Sequence, residues 1–157
     1  MDKLKIRRYE DKDNSIVWEL HWLGLEELGI KRTKEVHPWH QDLNNIESIY
    51  FENNGEFIVG EINGQVIASG AFKKEDNETA ELKRMRVHPD FQHRGFGQEI
   101  LEDLEKRAKE KGYKKLKLDT GRKWTIAIKF YEKNGYKETG RQLFSNGYDA
   151  ISYEKEL

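Results

Sequence analysis

The sequence predicts an α/β fold in which helices flank a mixed and mostly antiparallel sheet. Apolar residues recur at helical spacing in three segments, 16–28, 95–111 and 124–134. Strand-like segments lie between them, and the dipeptides Asn63-Gly64 and Asn146-Gly147 suit tight hairpin turns. Both patterns in one chain favour layered helices and hairpins over an all-helical or all-strand protein.

The first half of the chain is predicted to contain four strands and two helices. In order, they are a strand over 4–7, helices over 16–28 and 41–52, and strands over 56–62, 65–72 and 78–87. Ile16, Leu20 and Leu23 form the apolar stripe of the first helix, and Gly29 is expected to end it. A loop over 30–40 joins the two helices.

The second half is predicted to alternate helices and strands. In order, they are a helix over 95–111, a strand over 114–118, a helix over 124–134, and strands over 136–144 and 148–157. Gly112 and Gly135 stand where the two helices are expected to stop. The order along the chain is therefore βααβββαβαββ.

Composition excludes several classes of protein. The chain has 157 residues, enough for one domain (1–157), and its net charge is −1 with 36% charged residues. That balance argues against a nucleic-acid surface, which needs a basic excess. No apolar run reaches the length of a membrane span, and the sequence contains no cysteine for a disulfide or a thiolate metal site. A cytoplasmic location is expected.

The fourth strand is predicted to contain a β-bulge. In a regular strand Leu82 would face the opposite side from Met85 and Val87, and a bulge between Lys83 and Met85 would turn all three inward. A bulge also leaves backbone N–H groups free to bind a ligand. The alternative is a regular strand that is buried on both faces.

A glycine loop lies between this strand and the third helix, as Gln92-His93-Arg94-Gly95-Phe96-Gly97. Two glycines allow a phosphate to approach the backbone, and the first amides of a helix have no partners inside it. Arg94 adds a positive charge, so the loop predicts a site for a pyrophosphate-bearing cofactor. Ile100 stands where a dinucleotide fingerprint needs its third glycine, and no Walker Gly-Lys-Ser/Thr occurs.

Two motifs together resemble the GNAT N-acetyltransferase superfamily, over about residues 55 to 155. Gln92, Gly95 and Gly97 fill its acyl-CoA loop pattern, and residues 127–136 resemble its second motif, Ala-x-x-x-Tyr-x-x-x-Gly-Phe/Tyr. The resemblance implies acetyl-CoA as co-substrate and no metal. The cofactor-binding residues it implies are Met85, Arg86, Val87, Gln92, His93, Arg94, Gly95, Phe96, Gly97 and Tyr131.

Two residues are predicted to catalyse acyl transfer. The family often uses a glutamate on the fourth strand as base, directly or through water, which here is Glu81; Glu75 and Glu78 are nearby alternatives. Tyr131 of the second motif is the predicted acid or hydrogen-bond donor for the departing thiolate. The alternatives are a solvated glutamate and a core tyrosine.

Other residues leave alternatives open. Trp124 stands where many family members carry a cofactor-contacting Asn, so it packs on the ligands or only covers the helix start. His37 and His40 alone are weak evidence for a metal site. Trp22, Trp39 and Tyr50 either line the acceptor pocket or belong to the core of the two N-terminal helices.

The favoured function is transfer of an acetyl group from acetyl-CoA to a primary amine by direct attack on the thioester. The alternatives are a catalytically silent acyl-CoA sensor and an interaction protein whose glycine loop only opens a helix. A small polyamine, an amino acid, an aminoglycoside and a protein N-terminus all remain candidate acceptors. Neither a nucleic-acid nor a membrane partner is expected, and a homodimer is common in the family.

Overall fold

A computed structural model describes residues 2–35 and 37–157; Met1 and Val36 of the predicted domain lie outside the described residues. The strands are β1 Lys5–Arg8, β2 Glu56–Ile62, β3 Gln65–Lys74, β4 Thr79–Val87, β5 Lys115–Gly121, β6 Lys137–Leu143 and β7 Asp149–Glu156. The α-helices are α1 Asn14–Glu27, α2 Ile46–Ile49, α3 Phe96–Glu110 and α4 Thr125–Lys133.

The strands form one seven-stranded sheet in the order β1-β2-β3-β4-β5-β7-β6. All neighbours are antiparallel except β4 and β5, which pair in parallel over Thr79–Glu81 and Lys115–Lys117. Both strands continue beyond this short pairing, β4 to Val87 and β5 to Gly121. The sheet therefore opens between its two central strands. The strand directions confirm the predicted mixed and mostly antiparallel architecture.

Apolar side chains cover the sheet on both faces. On one face α3 and α4 pack against β4 and β5, with Ile100, Leu104 and Leu116 fully buried. On the other face, α1 and residues 38–53 cover β2 and β3. Thus β4 lies between two packed layers, and each of its side chains faces one layer or the other.

The predicted second helix over 41–52 is wrong, because the chain forms three shorter pieces there. They are a 3-10 helix Pro38–Asn44, the single turn of α2 and a 3-10 helix Phe51–Asn53. Asn45 leaves the helical region at φ −140°, and Asn14 of α1 donates a 2.8 Å hydrogen bond to the carbonyl of Leu43. The side-chain amide of Asn14 thus bonds a carbonyl that would accept a backbone N–H in a continuous helix.

The other predicted helices and both hairpins are confirmed within a few residues at their ends. The last residues of β3 and β5 extend the predicted strands to Lys74 and Gly121. No helix in the described part of the chain is long and apolar enough to cross a membrane.

Candidate active site

The predicted bulge in β4 is present at Arg84. Ala71 of β3 lies opposite Lys83, but Ser69 lies opposite Arg86, so β4 holds one more residue than β3 in this stretch. Arg84 is left-handed, with φ of +58°. Leu82, Met85 and Val87 consequently all pack in the layer of α3 and α4, as the sequence predicts.

Gly70 of β3 provides the space opposite the bulge. A Cβ atom there would lie 2.6 Å from Ile100 of α3 and 2.9 Å from the sulfur of Met85. Ser69 beside it donates a 3.0 Å hydrogen bond to the carbonyl of Arg84. Neither residue is identifiable from the sequence alone, because their role depends on the register between β3 and β4.

A buried ion pair ties the bulge to the segment between α1 and β2. The Arg84 guanidinium donates to both carboxylate oxygens of Asp42, with Nε at 2.9 Å from Oδ2, and to the carbonyl of Trp39 at 2.6 Å. The Tyr50 hydroxyl donates to the same carboxylate at 2.5 Å. Burial raises the pKa of Asp42, but the bonds from Arg84 outweigh it and the net pKa is lowered.

The glycine loop joins the end of β4 to α3. Gly95 has φ of +84°, and a Cβ atom added there would meet nothing within 4 Å, so its backbone requires glycine while the space outside it is open. His93 is also left-handed, at φ +63°, and exposed. A Cβ at Gly97 would lie 3.6 Å from Val87, which places the first turn of α3 against the end of β4.

Two polar side chains hold this loop in place. Gln92 Nε2 donates to the carbonyl of Val87 at 3.1 Å and to the carboxylate of Glu27 on α1 at 2.9 Å. Arg94 donates to the carbonyl of Asp90 at 3.3 Å and lies 5.4 Å above the ring of Phe91. The amides of the first turn of α3 have no helical acceptors, so they are donors that a diphosphate could use, and its binding here stays a prediction.

Tyr131 points its ring into the layer of α3 and α4 and is 8% exposed. Phe130 and Tyr136 flank the ring at centroid distances of 5.2 and 5.6 Å, and Gly135, with φ +90°, ends α4. Among the described residues, no side chain or carbonyl forms a hydrogen bond with the Tyr131 hydroxyl. The buried side-chain polar atom that lacks a partner among these residues is Arg86 Nε, and not this hydroxyl. The hydroxyl is therefore not completely enclosed by protein. Burial raises the pKa of Tyr131 to about 12, and the field of Arg86 opposes that rise.

Glu81 lies where β4 and β5 are still paired, beside the point where they part. Its carboxylate is 3.8 Å from Lys73 Nζ, and 16% of its side chain is exposed. Glu75 instead pairs with Lys117 at 2.9 Å, and Glu78 is 65% exposed beside Lys114. Of the three glutamates, Glu81 is therefore the one enclosed next to the opening in the sheet.

The family model for the GNAT acetyltransferase family matches residues 16–136, which is most of the chain. The chain belongs to the GNAT acetyltransferase family. The match runs from α1 through the bulge and the glycine loop to the end of α4, so it includes both motifs quoted from the sequence.

Solved structures show the same fold. A GNAT acetyltransferase of Staphylococcus aureus is 24% identical, with 99% of each chain covered and a TM-score of 0.86. A putative acetyltransferase of Salmonella typhimurium, solved with its cofactor acetyl-CoA, is 18% identical, with coverage of 98% and 94% and a TM-score of 0.79. A GNAT acetyltransferase of Elizabethkingia anophelis with acetyl-CoA bound is 24% identical over 100% of both chains, with a TM-score of 0.68.

Within this GNAT domain, Trp124 covers the start of α4. A Cβ at Gly121 would lie 2.7 Å from its ring, and Tyr148 of the last hairpin is 5.8 Å away between ring centroids. These contacts are those expected of a residue that covers the start of the helix, and packing of Trp124 on a ligand stays a prediction.

The aromatic residues of the N-terminal segment divide between core and surface. Tyr50 is fully buried in the layer below α1, so it is a core residue whose hydroxyl serves Asp42. Trp39 is 59% exposed, and Trp22 stacks on Trp18 with centroids 6.2 Å apart.

His37 and His40 form hydrogen bonds with protein groups. His40 Nδ1 lies 2.8 Å from Nε2 of buried His21, while His37 accepts from the amide of Trp39 at 3.2 Å. The described residues contain no group of three or more potential protein ligands for a metal.

The side chain of Arg86, which the sequence predicts to bind the cofactor, lies on the face of the sheet away from α3 and α4. Its side chain leaves β4 toward α1, where Nη2 lies 3.2 Å from Nδ1 of His21 and Nη1 donates to the carbonyl of Met85 at 3.1 Å. The main chain of residues 85–87 stays available to a ligand, while the guanidinium belongs to the opposite face of the sheet.

Proposed function

We propose that this GNAT domain transfers an acetyl group from acetyl-CoA to a primary amine of a small molecule or peptide, by direct attack of the amine on the thioester. The observation that carries the proposal is the bulge at Arg84, which interrupts β4 at the opening between β4 and β5. It supplies unpaired backbone donors beside the opening between β4 and β5, where the thioester is proposed to bind.

The cofactor is assigned to the face of α3 and α4. Its diphosphate is proposed to bind the amides of Gly95, Phe96 and Gly97, with Arg94 and His93 at the exposed rim and Gln92 holding the loop. Its pantetheine arm is proposed to pair with the main chain of Met85, Arg86 and Val87. Acetyl-CoA in the Salmonella and Elizabethkingia proteins of the same fold supports this choice of cofactor.

The acceptor must lose a proton before or as it attacks. An amine with the ordinary lysine pKa near 10.4 is neutral in about one molecule in a few thousand at pH 7, which costs roughly 4 to 5 kcal/mol. Glu81 is proposed as the base. It lies three residues before Arg84 on the strand, roughly 10 Å at about 3.3 Å per residue, so it is proposed to take the proton through ordered water and not by direct contact.

The attack creates charge at two atoms. A bulge amide next to Met85 is proposed to donate to the oxyanion, since a preorganised donor is most effective where charge develops. Tyr131 is proposed to face the sulfur. A tyrosine whose pKa is about 12 holds its proton against a thiolate of ordinary pKa near 8.5, a difference worth about 4 to 5 kcal/mol. Tyr131 therefore stabilises the leaving thiolate chiefly as a hydrogen-bond donor.

The test is release of free thiol from acetyl-CoA with a panel of amines, beside thermal shifts with coenzyme A alone. The proposal predicts amine-dependent turnover and a shift that rises with coenzyme A concentration. A clear shift without turnover for any small amine, peptide or protein would instead support the silent sensor. Absence of both the thermal shift and the turnover would refute the proposed function.

A further inference from the structure

Arg86 is a buried cation that lacks a counter-charge. Its guanidinium bonds one carbonyl, that of Met85, and one imidazole, that of His21, and its Nε is enclosed without a partner. Native proteins rarely leave such a group unpaired, since a buried charge is normally neutralised by a carboxylate. The arrangement is therefore evidence of a function that stability alone does not explain.

The imidazole beside it does not supply the missing negative charge. Burial and the nearby arginines lower the pKa of His21 to about 2, so it is neutral and accepts through Nδ1. Its Nε2 proton is then donated to His40 Nδ1 at 2.8 Å. Burial also lowers the pKa of Arg86, to about 10, which still leaves the guanidinium charged at neutral pH.

The helix above Arg86 is shaped around it. Gly24 lies inside α1, and a Cβ there would be 2.6 Å from Cδ and 2.7 Å from Nε of Arg86. Glycine is a poor choice for a helix interior, so its presence favours a requirement for space at this point. Arg86 is partly exposed as a residue, although its Nε is fully enclosed under α1.

The charges around Arg86 are positive in sum. Arg84 is neutralised by Asp42, and Lys73 lies 3.8 Å from Glu81. Lys83 has no carboxylate within ion-pair distance among the described residues, and neither has Arg86. The carboxylate that raises the pKa of Arg86 is that of Glu27, which accepts a hydrogen bond from Gln92.

This positive surface is the side of β4 opposite the proposed cofactor. Arg86 lies two residues past Arg84, and its side chain lies under α1 beside His21 and Gly24, so an acceptor that reached the bulge from that face would meet its guanidinium. A second ammonium group there would be repelled. A carboxylate next to the reacting amine would be paired, in the planar geometry that a guanidinium favours.

We propose that Arg86 binds the α-carboxylate of a free amino acid, and that amino acids rather than polyamines are the acceptor class of this enzyme. The inference rests on the proposed acetyl transfer, and it assigns a part of the acceptor site that the transfer itself does not require. Arg86 acts here as a binding residue for substrate, with His21 and Gly24 as its positioning residues.

The experiment compares matched ligands that differ only in the carboxylate. A set of free L-amino acids with acidic, basic and apolar side chains is tested against their α-amides and against spermidine, each with coenzyme A present. Binding is measured by calorimetry, and turnover with acetyl-CoA by thiol release. At least one amino acid is expected to bind and react at least tenfold better than its own amide, although the amide has the less basic amine.

Substitution of Arg86 should remove that discrimination. In Arg86→Gln the ratio of kcat/KM between amino acid and amide is expected to fall at least tenfold, mainly through KM for the amino acid. Arg86→Lys keeps the charge but lacks the planar guanidinium, so its ratio of kcat/KM should lie between those of the wild type and Arg86→Gln. Gly24→Ala, which pushes the guanidinium aside and favours the helix, should raise KM for the amino acid while the thermal shift with coenzyme A is retained.

The two proposals fail in different ways. Turnover of spermidine or neutral amines with no preference for a carboxylate would overturn this inference and leave acetyl transfer standing. Amino-acid binding that needs Arg86 but never leads to thiol release would uphold the carboxylate site and overturn the transfer. Equal binding of amino acid and amide in wild type and Arg86→Gln would also overturn the inference, whatever the turnover.

Discussion

Arg84 bonds both carboxylate oxygens of Asp42, which lies 42 residues earlier in the chain. The pair joins the bulge of β4 to the short helices between α1 and β2, with only 10% and 12% of the two side chains exposed. Arg84 is also the residue of the bulge whose backbone is left-handed. Its side chain therefore connects the backbone conformation at the proposed oxyanion donor with the segment that covers the proposed acceptor face.

Asp42→Asn should weaken both fold and activity. It leaves a buried guanidinium without its counter-charge, so we expect a loss of about 2 to 4 kcal/mol in the free energy of unfolding. Turnover should fall at least tenfold in kcat as the bulge relaxes. Urea unfolding and thiol-release kinetics measure the two effects.

The matched control is the exposed pair of Glu19 with Arg32, where 44% and 41% of the side chains are exposed. Glu19→Gln should leave both the urea midpoint and kcat almost unchanged, because exposed ion pairs contribute little to stability. An Asp42→Asn protein as stable and as active as the wild type would refute the role of the ion pair between Asp42 and Arg84.

Arg84→Gly and Arg84→Ala separate backbone from side chain at the bulge. Both lose the tie to Asp42, but only glycine adopts φ of +58° without strain. The alanine variant should therefore be less stable than the glycine variant by about 1 kcal/mol. If the two unfold at the same urea concentration, the left-handed conformation does not survive loss of the guanidinium.

Gly95→Ala should weaken binding of coenzyme A. A Cβ at φ +84° strains the loop by about 1 kcal/mol, and it also projects into the open space assigned to the diphosphate. Calorimetry should show at least a tenfold weaker Kd. Gly64→Ala is the control, because Gly64 has φ +80° and equally open surroundings in the β2–β3 turn. Similar Kd changes in both variants would assign the effect to strain alone.

Tyr131→Phe should lower kcat by about ten- to a hundredfold while the Kd of coenzyme A stays within about twofold, because only the thiolate loses a hydrogen bond. With a pKa near 12, Tyr131 should also produce no alkaline loss of activity below about pH 10. Tyr136→Phe removes a hydroxyl that donates to Glu105 at 2.8 Å, and serves as the control. An unchanged kcat in Tyr131→Phe would refute the assignment.

Stability should fall as the solution is acidified from pH 7 to pH 5. His21 has a folded pKa of about 2 against an unfolded value near 6.5, so the unfolded chain binds a proton that the folded chain does not. That stability is complete above pH 6.5 and is lost below it, by about 2 kcal/mol at pH 5. Burial also lowers the pKa of His40, which adds to the slope.

His21→Gln should flatten this dependence, as measured by urea unfolding at a series of pH values. Part of the slope should remain, because His40 is still present. A slope identical to that of the wild type would show that His21 is protonated in the folded protein.

Local patterns predicted the fold where they coincide with tertiary contacts. The alternation of β4 conflicts with the burial of Leu82, Met85 and Val87, and that conflict was enough to predict the bulge. The hairpin dipeptides likewise predicted both turns. The helix over 41–52 failed because Asn14, from another element, bonds the carbonyl of Leu43, and spacing alone does not reveal such a partner.

The candidate site was predictable only in part for the same reason. The glycine loop and Tyr131 belong to contiguous motifs, so the sequence displays them. The pairing of Asp42 with Arg84, and the fit of Gly24 over Arg86, join residues far apart in the chain. Each of these residues alone has an ordinary helix or surface interpretation, and only the fold brings the partners together.

The most direct test is a crystal structure of the protein with coenzyme A. We expect the diphosphate on the amides of Gly95, Phe96 and Gly97, with the thiol beside the bulge and within hydrogen-bond distance of the Tyr131 hydroxyl. A diphosphate bound elsewhere, or a thiol distant from β4, would contradict the proposed mechanism.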